Sequence, residues 1–230
     1  GLGPAGLFAA LLLARSGFRP LVLERGPELD ERVKAVEHFE KTGELNLNAN
    51  IQFGEGGAGT FSDGKLTTRV GDPLCAFVTD AFLQHGAPAD IAWRQKPHVG
   101  TDLLRGIIRS IRQEIIALGG EVRFNTALTG LKIENGALAG VETTAGDFAC
   151  EQLILAVGHS ARDTFAMLHR QGMPLECKPF SVGFRAEHLQ TEIDKSLYHA
   201  AAGHPVLPVG EYQLSQHVSG GRCVYTFCMC

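Results

Sequence analysis

The 230-residue sequence has no block of lysine or arginine, no long apolar run and few cysteines, and each shortage removes a class of function. Twenty-one basic residues stand against 25 acidic ones, a formal net charge of −4, so no row of cations is at hand to neutralise a nucleic-acid backbone. A bilayer-spanning helix needs about 18 consecutive apolar residues. The stretch Leu7 to Leu13 is halted by Arg15, and no membrane contact is expected. Cys75, Cys150, Cys177, Cys223, Cys228 and Cys230 are too sparse for a disulfide framework, and no signal peptide precedes them, so the expected compartment is a reducing cytoplasm. The nine histidines are scattered, no His/Cys spacing matches a zinc ligand set, and no metal is expected. Hydrolysis lacks support, because no Gly-x-Ser-x-Gly elbow occurs.

What is present is the composition of a globular protein: 44% hydrophobic, 20% charged, with 28 glycines. The chain is long enough to bury a real core, as one large domain or two modest ones. Gly1-Leu-Gly-Pro-Ala-Gly6 leads into an apolar helix over 7–17, with Gly17 and Pro20 as stop signals, and then into a buried strand, Leu21 to Glu24. A glycine turn of this kind follows a parallel strand in a βαβ unit. Nothing precedes Gly1, so the first strand is expected to be cut off, and the last segment to stop in mid-strand.

Residues 27–49 are polar and partly helical, 54–65 are too glycine-rich for an element interior, and a helix is expected over 72–84. The clearest helix has Thr101 as its N-cap, apolar residues Leu104, Ile107, Ile108, Ile111, Ile115 and Leu118, and Gly119-Gly120 as its end. A core strand, 121–124, and a meander over 127–150 with an Asn135-Gly136 turn follow. Gln152 to Val157 reads as a central parallel strand delivering Gly158 to a ligand. Beyond about Glu176 the pattern alternates in strand-like segments at 181–187, 212–217 and 224–230. The expected domains are therefore 1–175 and 176–230.

In a Gly-x-Gly-x-x-Gly turn the first glycine permits the bend, the second lets backbone amides reach a pyrophosphate, and the third lets helix and strand pack closely. Gly1, Gly3 and Gly6 fit this spacing, which alone is a weak signal in a glycine-rich chain. Glu24, eighteen residues past Gly6 at a strand end, strengthens it, since a carboxylate there can accept both ribose hydroxyls of an adenosine and disfavours a 2′-phosphate. Arg25 beside it leaves that preference less complete. In the second glycine-rich loop, Gly56, Gly57, Ala58, Gly59, Thr60, Ser62, Asp63, Gly64 and Lys65 can form an anion-binding nest with added hydroxyls, or else a solvated surface loop. Cys228 and Cys230, two apart on a strand, share a face and are either a redox dithiol or ordinary small core residues.

Pro4-Ala5 between the glycines, Glu24-Arg25, the meander and Leu155-Ala-Val-Gly158 together resemble two-dinucleotide-binding-domain flavoproteins of the glutathione-reductase type. More narrowly, Gln52 to Leu66, Pro97 to Leu104, Gly158 to Phe165 and Tyr225 to Cys230 resemble a bacterial family of uncharacterised FAD-dependent dehydrogenases. The resemblance implies FAD, with Gly56 to Lys65 running along the pyrophosphate and ribityl chain toward the flavin ring. It also implies that the Val122 backbone meets the adenine, its side chain being either part of that site or simply core, and that Ala156, Val157, Gly158 and His159 return to the cofactor, with Val157 standing where the family commonly has threonine. Lys65, Cys228 and Cys230 are the candidate catalytic residues. The implied fold is α/β, a Rossmann-type FAD-binding domain of parallel sheet plus meander with an inserted β-rich substrate domain. The implied activity is two-electron transfer between flavin and a small-molecule substrate, with NAD(P)H a candidate electron donor. The rival readings are an NAD-dependent Rossmann dehydrogenase and a non-catalytic flavin-bearing redox sensor.

Overall fold

The computed structural model describes all residues except 62–65, 67, 69, 95, 96, 98 and 227–230. It divides into two compact units, Gly1–Leu175 and Glu176–Cys230. The fold is mixed α/β, with one parallel and three antiparallel pairings of strands among the described residues.

In the first unit, helix α1 (Pro4–Arg15) starts with proline in its first turn, where the missing N–H costs nothing. It ends on Gly17, whose φ of +85° few other residues tolerate. The Phe18 and Gly17 amides bond back to the Leu13 and Ala14 carbonyls, closing the helix end. Strand β1 (Leu21–Leu23) pairs in parallel with β2 (Glu121–Arg123), Val22 opposite Val122. Between them in sequence lie α2 (Leu29–Thr42), α3 (Cys75–Gln84) and α4 (Thr101–Ala117). α4 closes as α1 does, with the Gly120 amide on the Ile115 carbonyl. Thr101 is its first helical residue rather than its cap; Gly100 holds the cap position and no side chain caps the end.

The core lies between α1, α4 and the β1–β2 pair. Leu7, Leu11, Ile107, Ile108, Ile111 and Ile115 are buried there together with Val22, and Phe8 stacks edge-on against Phe82 of α3. Strands β3 (Leu128–Glu134), β4 (Ala137–Thr143) and β5 (Gly146–Ala149) form the antiparallel meander. Its turn has positive φ at both Asn135 and Gly136, the pair that matches strand twist. The meander packs on α5 (Arg162–Arg170) through Leu131, Val141, Met167 and Leu168.

Two strand expectations fail. Residues 152–157 form no ladder: among the described residues no neighbouring strand offers them a row of backbone partners, and Ile154 and Leu155 stay exposed. Among the described residues, 181–187 likewise form no ladder, and Val182 and Phe184 stand in solvent. The alternation there marks a potential strand face, but a strand requires a partner edge. The second unit is consequently less β-rich than its pattern suggests. It holds α6 (Gln190–Tyr198) and a short antiparallel pair, β6 (Ser215–His217) and β7 (Cys223–Tyr225). α6 escapes sequence reading because Leu189 occupies its cap position without a capping side chain.

Candidate functional site

A cleft of about 650 Å³ opens at the N-terminus of α1 and is lined by three chain segments distant in sequence. Gly1, Gly3, Pro4 and Ala5 form one side, Gln52, Phe53, Gly54, Gly57 and Ala58 another, and Leu155 to His159 a third. Glu24 and Arg25 at the end of β1, Leu128 of β3, and Thr164, Phe165 and Leu168 of α5 also line it. The volume falls in the range of small-molecule and cofactor sites, roughly 300–1,000 Å³.

The opening turn is built by close approach. A Cβ on Gly1 would lie 2.6 Å from the Ala156 carbonyl oxygen, and one on Gly6 would lie 1.8 Å from the Gly1 oxygen. Gly6 therefore permits packing of helix on turn and does not line the cleft. Gly3 differs, because nothing stands within 4 Å of where its Cβ would be, so its backbone is open to a ligand. Gly3 is also the N-cap residue of α1, and no side chain caps this end. Free amides at a helix start and the positive end of its dipole together favour an anion.

Glu24 is buried at the cleft edge, and both its carboxylate oxygens are engaged. Oε2 accepts the Leu2 amide at 2.6 Å and Oε1 the Gly26 amide at 2.8 Å. The side chain thus fastens the turn that was expected only to neighbour it. A carboxylate has roughly four acceptor positions, so capacity for a ribose hydroxyl remains. Arg25 forms an ion pair with Asp163 of α5, whose carboxyl it holds below the usual aspartate range. A guanidinium so engaged is a weaker receptor for a 2′-phosphate.

The second loop lies against the first. The Gly56 amide donates to the Leu2 carbonyl at 2.9 Å, and a Cβ on Gly57 would come within 2.5 Å of Pro4 Cδ. Gly57 has φ +72°, a second reason for glycine there. Gly57 and Ala58 reach the cleft, whereas Gly56, Gly59 and Thr60 do not. Thr60 is fully buried, its hydroxyl donating to the Gly57 carbonyl at 2.7 Å, so it braces the loop instead of facing a ligand. The Val122 side chain packs against the main core, and Leu128, at the start of β3, lines the cleft. Ala156, Val157, Gly158 and His159 line it without forming a strand. Ser62, Asp63, Gly64, Lys65, Cys228 and Cys230 lie outside the described residues.

Two buried charges organise this region, and neither drew notice in the sequence. Arg32 of α2 has no exposed surface, and its guanidinium donates to the carbonyls of Asn50, Ile51 and Glu55 and to the Thr60 hydroxyl. Burial lowers its pKa to about 10, which still leaves it charged at neutral pH. Glu55 is equally buried. Its Oε2 accepts the first amide of α2, that of Leu29, at 2.7 Å. Its Oε1 stands 2.8 Å from Arg112 Nε in an ion pair without hydrogen-bond alignment, and burial raises the carboxyl pKa against that pull. The available signal was periodicity: Leu29, Arg32 and Val36 share one buried helix face, on which an arginine needs partners.

A second cleft, about 620 Å³, shares Arg25 and Leu128 with the first and is lined further by Asn48, Asn125, Thr129, Thr144 and Arg170. Among the described residues no three His, Cys, Asp or Glu side chains gather as a metal site, and no helix is long and apolar enough to cross a membrane.

With this geometry in view, comparison with known proteins is informative. Residues 179–230, within the second unit, match the family model described as FAD-dependent protein, C-terminal domain-like. That part of the chain is similar to FAD-dependent proteins. An uncharacterized protein of Clostridium beijerinckii is 50% identical over the whole chain, which spans 43% of that relative's length. Among solved structures, THI4 of Thermovibrio ammonificans aligns over 76% of this chain and 61% of its own, at 15% identity and a TM-score of 0.48. Glycine oxidase of Bacillus cereus aligns over 74% and 57%, at 13% identity and a TM-score of 0.43.

Proposed function

We propose that this chain carries the dinucleotide-binding part of an FAD-dependent oxidoreductase, on a Rossmann-type unit over 1–175 followed by substrate-domain sequence over 176–230. The observation that carries the reading is the convergence of an uncapped helix N-terminus, an open Gly3 backbone and the buried Glu24 carboxylate in one cleft. The residues fit the cofactor. Gly3, Pro4 and Ala5 would receive the diphosphate, Glu24 the adjoining ribose, and Gly57 and Ala58 with Ala156 to His159 would flank the rest.

Bound FAD supplies two-electron chemistry, and the protein's part is to hold, orient and shield it. Among the residues that do so, Glu24 orients the opening turn, and the 52–58 wall limits solvent access from one side. The match of 179–230 to a domain of FAD-dependent proteins supports FAD over NAD at this turn. The electron partners proposed are a small-molecule substrate and NAD(P)H.

The test is the visible spectrum of the full-length protein as purified, followed by anaerobic addition of NADH or NADPH. A flavin spectrum that bleaches and recovers on admitting oxygen is the expected result. A colourless protein whose fluorescence is quenched by NAD and not by FAD would replace this reading with the NAD-dependent one. Bound flavin that no reductant cycles would favour a redox sensor.

A further inference from the structure

We infer that Arg32, which never touches the cleft, is the positioning residue that sets its second wall and hence the affinity for the dinucleotide. The inference rests on the FAD-binding reading above and adds to it a residue remote from the ligand.

The chain of contacts is continuous. Arg32 Nη1 binds the Glu55 carbonyl at 2.6 Å and the Thr60 hydroxyl at 3.0 Å, while Nε binds the Asn50 carbonyl at 3.0 Å. These acceptors bracket the loop that supplies Gln52 to Ala58 to the cleft. Thr60 passes the restraint on by donating to Gly57, and Gly57 abuts Pro4 at the first turn of α1. One residue earlier, the Gly56 amide holds the Leu2 carbonyl, whose own amide is bound by Glu24. A single guanidinium thereby fixes the loop from behind while the loop fixes the phosphate-facing turn from the side.

Two further features fit a locating role better than simple filling of space. A Cβ on Gly54 would approach within 2.9 Å of Arg32 Cδ and Nε, so the loop backbone lies directly on the guanidinium stem. The Phe61 ring lies 4.7 Å from Arg32 Cζ and 5.0 Å from that of Arg105, which also donates to the Thr60 carbonyl. Two planar cations thus contact the loop end. Only arginine offers this fork; lysine has one charged nitrogen and would leave carbonyls unpaired.

The experiment measures FAD affinity of the full-length protein, stripped of flavin and titrated with FAD, together with melting temperatures with and without FAD. Arg32→Met is expected to raise the Kd for FAD by about tenfold or more, Arg32→Lys by less, and both to narrow the melting-temperature gap between loaded and stripped protein. Ile115→Val, in the core away from the cleft, serves as the control. It is expected to lower both melting temperatures and leave the Kd unchanged. If Arg32→Met does not fold, Thr60→Val removes only the hydroxyl linking Arg32 to Gly57 and carries the same expectation for Kd. An affinity within about twofold of wild type in the folded variants, with the melting gap preserved, would reduce Arg32 to a stabilising residue and overturn the inference alone. Failure of the wild-type protein to bind FAD would overturn both this inference and the function on which it rests.

Discussion

Glu24 serves the backbone first: its carboxylate oxygens hold the amides of Leu2 and Gly26. Glu24→Ala is therefore expected to cost about 1–3 kcal/mol of stability, the usual penalty for stranding buried donors, besides weakening FAD binding. Denaturant unfolding of the FAD-free protein measures the first effect and fluorescence titration the second. Gly57→Ala meets two obstacles, a φ of +72° and the Pro4 ring. The conformational part alone costs about 1–2 kcal/mol, and the loss should be larger in FAD affinity than in stability, because the added methyl pushes the loop off the helix start. The places of Gly3 and Glu24 at the cleft were legible in sequence because they follow from spacing after a turn and a strand. Arg32, Glu55 and Leu128 were not, since their roles depend on which distant backbone groups come to meet them.

Elements were legible where a local signal was sufficient. α4 was readable from its apolar period and its glycine end, and the meander from the Asn135-Gly136 turn. Replacing Gly136 by valine is expected to cost about 1 kcal/mol or more through its positive φ, read as a lower melting temperature with no change in FAD affinity. Segments 152–157 and 181–187 carried strand-like patterns without a partner edge, and pattern alone does not supply one. α1, α3 and α4 are tied at the surface by a polar chain in which Glu114 accepts from Arg15 at 2.7 and 2.9 Å and meets His85 at 2.8 Å. The Arg15 hydrogen bonds depress the Glu114 carboxyl, with His85 adding to the effect. A depressed carboxyl stabilises the fold above its unfolded pKa and loses that contribution as pH falls through its folded pKa. Glu114→Gln should therefore lower the melting temperature at neutral pH and change it less in acid, which flattens the acid limb of the profile.

The chain folds as two compact units. Every residue lining the proposed cofactor cleft belongs to Gly1–Leu175. In the second unit the Tyr212 hydroxyl and the His188 ring are hydrogen-bonded at 2.7 Å. Tyr212→Phe, which removes that bond, is expected to leave the Kd for FAD unaltered in a fluorescence titration of the flavin-stripped full-length protein.

The Leu2 peptide, held through its amide by Glu24 and through its carbonyl by Gly56, has little freedom left to surrender. A diphosphate arriving at the helix start would meet a receptor set before contact, so the entropy of shaping that bend is charged to folding and not to association.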